Sequence, residues 1–122
     1  MMTSSRQALG YWGETIAAEY LVNKGYLVIE RNLRTSYGEI DLIAKDGKFL
    51  VFVEVKTRAT DAFGPPEASI TRQKKEHLIA SARTFLQTFS NSDTNWRIDV
   101  IAIRKLKSES TPEIIHFENA IR

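Results

Sequence analysis

One dipeptide, Asp46-Gly47, sits between two apolar runs at residues 38–45 and 49–57. Such a pair between alternating apolar residues predicts a β-hairpin closed by a tight turn, because Asp and Gly tolerate the positive φ that the turn demands. With Asp46 and Gly47 as the turn residues, Lys45 faces Lys48, Ile43 faces Leu50, Asp41 faces Phe52 and Glu39 faces Glu54. Side chains alternate along a strand, so Glu39, Asp41, Glu54 and Lys56 then share one face. Like charges opposite each other destabilise a hairpin. Three carboxylates beside a single lysine call for more positive charge, and a divalent metal is its natural source.

The 122 residues fit one domain, residues 1–122, with room for a hydrophobic core. No apolar run reaches the roughly 20 residues of a membrane span, and the N-terminus lacks the apolar segment of an export signal. The expected location is therefore the cytoplasm, away from membranes. Absence of cysteine excludes disulfides, thiolate metal sites and cysteine nucleophiles. A net charge of +2 gives no global basic field, yet Arg31, Arg34, Lys56, Arg58, Arg72, Lys74 and Lys75 lie near the charged hairpin or on segments able to flank it. Two readings follow. One is a basic rim around an acidic centre, suited to a polyanion handled through a metal; the other is scattered, solvated charge.

Apolar spacing predicts a first helix over 6–24, capped by Ser4 or Ser5 and stopped by Gly25. Its buried stripe is Leu9, Gly13, Ile16, Ala17, Tyr20 and Leu21. Gly10 and Gly13 each weaken the helix by about 1 kcal/mol relative to Ala, which points to close approach by the sheet or a ligand. Glu14, beside them, is either a solvated glutamate or a functional acid. A strand over 26–34 precedes the hairpin. Within the hairpin Ile40 and Leu42 point to one side and Ile43, Leu50 and Phe52 to the other, so both faces need cover. Residues 57–66, containing Gly64-Pro65-Pro66, read as a loop. A second helix, starting at Ser69 or Thr71 and ending at Phe89, buries Leu78, Ala82, Phe85, Leu86 and Phe89. Arg72, Gln73, Lys74 and Lys75 crowd its first turn, where the dipole disfavours cations and an anion would be welcome. A polar loop at 91–95 leads to a strand over 96–103, parallel to 49–57 because a helical crossover separates them. Asp99 in that strand needs an arginine or a backbone donor. Residues 104–112 read as loop and 113–118 as an edge strand.

The chemistry centres on the hairpin. Mg²⁺ or Mn²⁺ favours carboxylate, carbonyl and water oxygens, and Asp41, Glu54 and the Val55 carbonyl offer them. Lys56 can orient or help deprotonate a water and stabilise developing charge. Hydrolysis of a phosphodiester fits these parts. His77 and His116 lack a second histidine at ligand spacing, and no serine sits in a nucleophile elbow. Tyr11, Trp12, Tyr37 and Trp96 are candidates for stacking on bases, although burial explains the tryptophans equally well.

Asp41 followed by Glu54-Val55-Lys56 on the next strand resembles the signature of PD-(D/E)XK nucleases, the restriction-endonuclease-like superfamily. Gly13-Glu14, Gly25-Tyr26, Arg31-Asn32, residues 38–43, residues 52–58 and Lys74 together resemble the YraN-like predicted endonuclease family across nearly the whole chain. The resemblance implies an α/β, restriction-endonuclease-like mixed β-sheet in the order α-β-β-β-α-β, with a short C-terminal strand and helices on both faces. It implies Glu14, Asp41, Glu54 and Lys56 as catalytic residues, Asp41, Glu54 and Val55 as metal ligands, and Glu39 as an extra acid that ligates, accepts from Lys56 or merely repels. Ile40 stands where the superfamily has proline. Arg34, Arg58, Arg72, Lys74 and Lys75 would contact nucleic acid. Similarity to Holliday-junction resolvases, which work as dimers, implies DNA, branched or otherwise structured, and a homodimer. The rivals are a nucleic-acid-binding module of the same fold without turnover, and a protein whose acids only close local salt bridges.

Overall fold

Seven elements follow one another: α1 (Ser5–Asn23), β1 (Leu27–Thr35), β2 (Gly38–Asp46), β3 (Phe49–Arg58), α2 (Arg72–Thr88), β4 (Asn95–Arg104) and β5 (Glu113–Ile121). The computed structural model describes residues 5–58, 70–89, 94–105 and 111–122. Outside them lie the caps expected at Ser4 and Ser5 (for Ser5, its side chain), the helix start at Ser69, the Gly64-Pro65-Pro66 segment and most of the two later loops. The five strands form one mixed sheet in the order β1-β2-β3-β4-β5. Only the β3–β4 pair is parallel, as the helical crossover requires.

The first helix stops where the glycine predicts. Gly25 has φ +94°, its N–H donates to the Val22 carbonyl, and the Tyr26 N–H reaches back to the Leu21 carbonyl at 2.9 Å. That double closure is a Schellman cap, and Tyr26 completes it by packing in the same core cluster as Leu21. At the other helix, Thr71 caps α2 by accepting from the Lys74 N–H at 3.1 Å.

The hairpin forms with a different register. Asp46 pairs with Phe49, Ile43 with Phe52 and Leu42 with Val53, so Gly47 and Lys48 occupy the turn. The expected register would have set Asp46 at a central turn position with positive φ; instead Gly47, at φ +58°, takes the first one without steric cost. Each pairing moves by two residues, an even number, so the paired side chains from Leu42 to Asp46 and from Phe49 to Val53 keep their faces. Continuing this register one step beyond Leu42 brings Asp41, and not Glu39, level with Glu54.

Alternation fails at one place. Ile40 belongs with Ile43, Leu50 and Phe52, not with Leu42, which packs with Ala44, Val51 and Val53. The break falls at Asp41, and across from it Asn32 on β1 has φ +55°. A non-glycine residue at positive φ is uncommon, and Asn is among those that tolerate it best.

Both sheet faces are covered. Leu78 and Ala82 of α2 lie on Ile43, Leu50, Phe52, Ile98 and Val100. Ala17 and Leu21 of α1 lie on Leu42, Ala44, Val51, Val53, Ile101 and Ile103. Helix α1 comes closest to β3 at Gly13, where an added Cβ would collide with the Thr57 hydroxyl and crowd its Cβ and methyl. Close packing therefore explains Gly13. Strand β5 runs three residues beyond its expected end and pairs antiparallel with β4.

Candidate metal centre

Strand β2 supplies Glu39 and Asp41, strand β3 supplies Glu54 and Lys56, and each helix adds one charged side chain: Glu14 from α1 and Lys74 from α2. The Gly13–Thr57 contact presses α1 onto the end of β3 and so sets Glu14 over the end of β2. Carboxylate oxygens of Glu14, Glu39 and Asp41 lie within 4.8 Å of one another. Glu54 sits beside Asp41, is only 5% exposed, and faces two lysines: Lys56 Nζ is 4.0 Å from Oε1 and Lys74 Nζ is 3.7 Å from Oε2. Both separations are ion pairs too long for hydrogen bonds. Oε2 of Glu54 is thus buried without a hydrogen bond among the described residues.

The acids hold their protons unusually well. Burial, reinforced by the charge of Asp41, pushes the Glu54 carboxyl up to about 7, against the opposing pull of Lys74 and Lys56. Burial also raises Asp41, although the Val55 N–H donates to its Oδ2 at 2.8 Å and Lys74 lies nearby. Glu14 is raised by burial and by Asp41, partly offset by a hydrogen bond from Asn32 and the charge of Arg31. Clustered carboxylates that resist ionisation together need an added cation for all to be charged.

A hard divalent cation fits this donor set. Three convergent carboxylates, from Glu14, Glu39 and Asp41, offer the hard oxygen donors that Mg²⁺ or Mn²⁺ selects, and the buried Glu54 Oε2 beside them has an unused lone pair. Glu14, Glu39 and Asp41 are the side chains placed to hold it, with Glu54 alongside. Of the expected ligands Asp41, Glu54, Val55 and Glu39, the cluster contains Asp41 and Glu39, and Glu14, expected as a catalytic acid, joins them as a ligand candidate. What Val55 presents to Asp41 is its amide N–H.

The expected basic residues divide. Lys74 reaches the centre. Arg34, 86% exposed, has Nε 3.5 Å from Glu39 Oε2 and stands at its rim. Arg72 turns to Glu76 one turn along its own helix, 3.5 Å away. Arg58 ends β3, two residues past Lys56, and Lys75 is half-buried in the first turn of α2. Two residues, expected only as part of the basic rim (Arg31) and of the Arg31-Asn32 motif, turn out to attend Glu14. Arg31 stands 3.8 Å from Glu14, and Asn32 hydrogen-bonds it. Their signal was the Arg31-Asn32 pair itself, since Asn marks the position where β1 needs positive φ.

No helix of the described residues is long and apolar enough to cross a membrane. The model of uncharacterised protein family UPF0102 matches residues 13–103, the span from Gly13 to Ile103 in β4. A UPF0102 protein of Geotalea uraniireducens (strain Rf4) is 44% identical over 117 residues, covering 96% of this chain and 91% of the relative. One from Thermodesulfovibrio yellowstonii (strain ATCC 51303 / DSM 11347 / YP87) is 44% identical over 116 residues, covering 95% and 97%. Another, from Chlorobium limicola (strain DSM 245 / NBRC 103803 / 6330), is 48% identical over 102 residues, covering 84% and 79%. By family model and by relatives alike, the chain belongs to the UPF0102 family.

Proposed function

We propose that the protein is a Mg²⁺- or Mn²⁺-dependent nuclease of PD-(D/E)XK type that hydrolyses phosphodiester bonds in DNA, branched or structured DNA included. One observation carries the reading: Glu14, Glu39 and Asp41 converge within 4.8 Å beside the buried Glu54, itself flanked by Lys56 and Lys74. A bound divalent ion would polarise the phosphoryl group and acidify a water. The chain's own groups supply the rest. Hydrolysis joins a water oxygen to phosphorus, breaks the bond from phosphorus to the sugar oxygen, and needs a proton removed from the water and one delivered to the leaving oxygen. Lys56, 24% exposed and held beside Glu54, is placed to orient that water and to stabilise charge on the phosphate oxygens. Lys74 adds a second positive charge from α2. Arg34 stands outside, where a phosphate further along the strand would meet it. A DNA substrate and a chain without cysteine fit the cytoplasm, and a two-fold dimer would suit a branched substrate.

Purified protein incubated with plasmid, single strands and four-way junctions tests the reading. Cleavage is expected with Mg²⁺ or Mn²⁺, none with EDTA, and at least about a hundredfold less for Asp41→Asn. Equal cleavage by wild type and Asp41→Asn would refute it. A second reading, a nucleic-acid-binding module without turnover, draws on the ion pairs that already engage Glu14, Glu39 and Glu54. Binding of DNA without metal-dependent cutting is the result that would favour it.

A further inference from the structure

Beside the carboxylate cluster runs a groove of about 900 Å³ lined by Gln7, Gly10, Tyr11, Glu14, Arg34 and Glu39 among others. Two of its features have no explanation within the fold. The first is Tyr11, a large aromatic left 63% exposed on α1. Its ring is backed on one side by the Arg31 guanidinium, 4.4 Å from the ring centre. Arg31 is itself fixed: Nη2 donates to the Tyr11 carbonyl at 3.1 Å and to Thr15 Oγ1 at 2.7 Å, and Nε pairs with Glu14. A cation that touches Glu14 therefore braces the ring as well. The second is Gly10. Gly13 is needed because Thr57 leaves no room, but a Cβ at Gly10 would meet nothing within 4 Å. A mid-helix glycine weakens a helix, and here no packing among the described residues asks for it. What it leaves is a strip of bare backbone along the groove, next to the ring.

The other aromatic residues named as candidates for stacking lack this setting. Trp12 packs against the α1-side core and Trp96 against Phe52. Tyr37 is exposed but borders α2, lining a different depression with Glu76 and Arg83.

We propose that Tyr11, braced by Arg31, is a stacking platform for an unpaired nucleobase, with Gly10 giving base and sugar close access to the α1 backbone. The inference rests on the nucleic-acid part of the proposed function and narrows the substrate class: a strand with at least one unpaired nucleotide beside the carboxylate centre. Stacking needs an exposed base face, which a continuous duplex does not offer, and an aromatic ring accepts any base without regard to sequence.

Fluorescence anisotropy of a labelled single strand and of a matched duplex, each in Ca²⁺, measures the preference. Wild type is expected to bind the single strand about tenfold more tightly than the duplex. Tyr11→Ala should lose about tenfold on the single strand and nothing on the duplex, whereas Tyr11→Trp retains binding. Gly10→Leu should raise the melting temperature or leave it unchanged and still weaken single-strand binding, which separates the role of the groove from folding. Equal wild-type affinity for the two DNAs, or unchanged binding by Tyr11→Ala, overturns the proposal. Metal-dependent cleavage that ignores Tyr11 sinks the platform and leaves the nuclease reading standing. Tyr11-dependent binding with no cleavage does the reverse, and absence of any DNA binding removes both.

Discussion

Two buried acids in this sheet have opposite fates. Asp99 on β4 is fully buried and fully partnered: Arg97 Nε donates at 3.0 Å, the Asn119 N–H at 2.8 Å, and His116 Nε2 lies 2.7 Å from Oδ2. Burial alone would raise its pKa, yet His116, Asn119 and Arg97 together hold it below the ordinary aspartate value. Asp41 accepts one hydrogen bond, from the Val55 N–H, and Glu54 faces two lysines at 3.7 and 4.0 Å; both sit among other acids and are raised. Even the backbone takes part: Asn119, at φ +52°, turns its N–H onto Asp99, whereas Asn32 at φ +55° sits across from an alternation break that brings acids together. One acid is finished by the fold. The others are left waiting for charge from outside.

Removing a partnered buried charge should be the costlier change for folding. Asp99→Ala removes the acceptor of Arg97 Nε and the Asn119 N–H and the partner of His116 Nε2, and is expected to destabilise by about 3–5 kcal/mol, a loss of roughly 10 °C or more in melting temperature. Asp41→Asn relieves repulsion among acids, so its melting temperature should hold or rise while calorimetric metal binding disappears. Thermal melts and metal titrations on both variants check this. If Asp41→Asn melts as low as Asp99→Ala, the cluster is structural and the contrast collapses.

The same contrast has a pH signature. Glu54 titrates near 7 in the folded chain and near 4.5 when unfolded. Between those values the folded state keeps a proton that the unfolded state has released, so stability falls as pH rises from about 4.5 to 7 and then levels. At one unit per 1.36 kcal/mol the loss is about 3 kcal/mol at most. Asp99 works the other way: its contribution is present at neutral pH and fades only as pH drops below the ordinary aspartate range. Denaturant melts without metal should therefore show wild type weakening from pH 5 to pH 8 and Glu54→Gln weakening less, the remainder coming from the raised Asp41 and Glu14. Added Mg²⁺ should restore wild type at pH 8 by binding the ionised acids. A flat wild-type profile would remove the argument that Glu54 is strained.

Legibility in the sequence followed the reach of each signal. Local signals gave local structure: Gly25 and Tyr26 marked the cap, helical spacing marked Leu78, Ala82, Phe85 and Leu86, and the crossover required β3 and β4 to be parallel. Asp41, Glu54 and Lys56 came onto one patch because strand parity survives an even slip in register. The slip itself was not legible, since Asp46-Gly47 and Gly47-Lys48 are both acceptable turns until φ is assigned. Nor was the break at Asp41, which depends on Asn32 across the ladder. Asp99 was expected to find an arginine or a backbone donor and found both. His116, expected to be ordinary surface or packing, is a further partner, while the run of β5 past Glu118 is what brings the Asn119 N–H to Asp99. Helical spacing left Glu14 undecided between solvent and site, and only the family resemblance made it a catalytic acid; its place beside Asp41 and Glu39 depends on how α1 packs on the sheet, which spacing does not reveal.

The Gly13–Thr57 contact offers the finest test. Gly13 lets α1 lie directly on Thr57, and the next residue is the one that completes the carboxylate cluster. A methyl group in Gly13→Ala would gain helix propensity of up to about 1 kcal/mol but must push α1 away from β3, a clash of roughly 1–3 kcal/mol. The net change in stability is small. The change at the cluster is not, because moving α1 outward carries Glu14 away from Asp41 and Glu39 while leaving those two in place. Gly13→Ala should therefore weaken metal binding far more than it lowers the melting temperature, and Gly10→Ala, with open space around its Cβ, should affect the metal little. Trimming the obstacle with Thr57→Ala in the Gly13→Ala background should recover part of the metal affinity. If it recovers none, Glu14 is not held in the cluster by this contact, and the difference between the unfinished acids and Asp99 would lie in β2 and β3 alone.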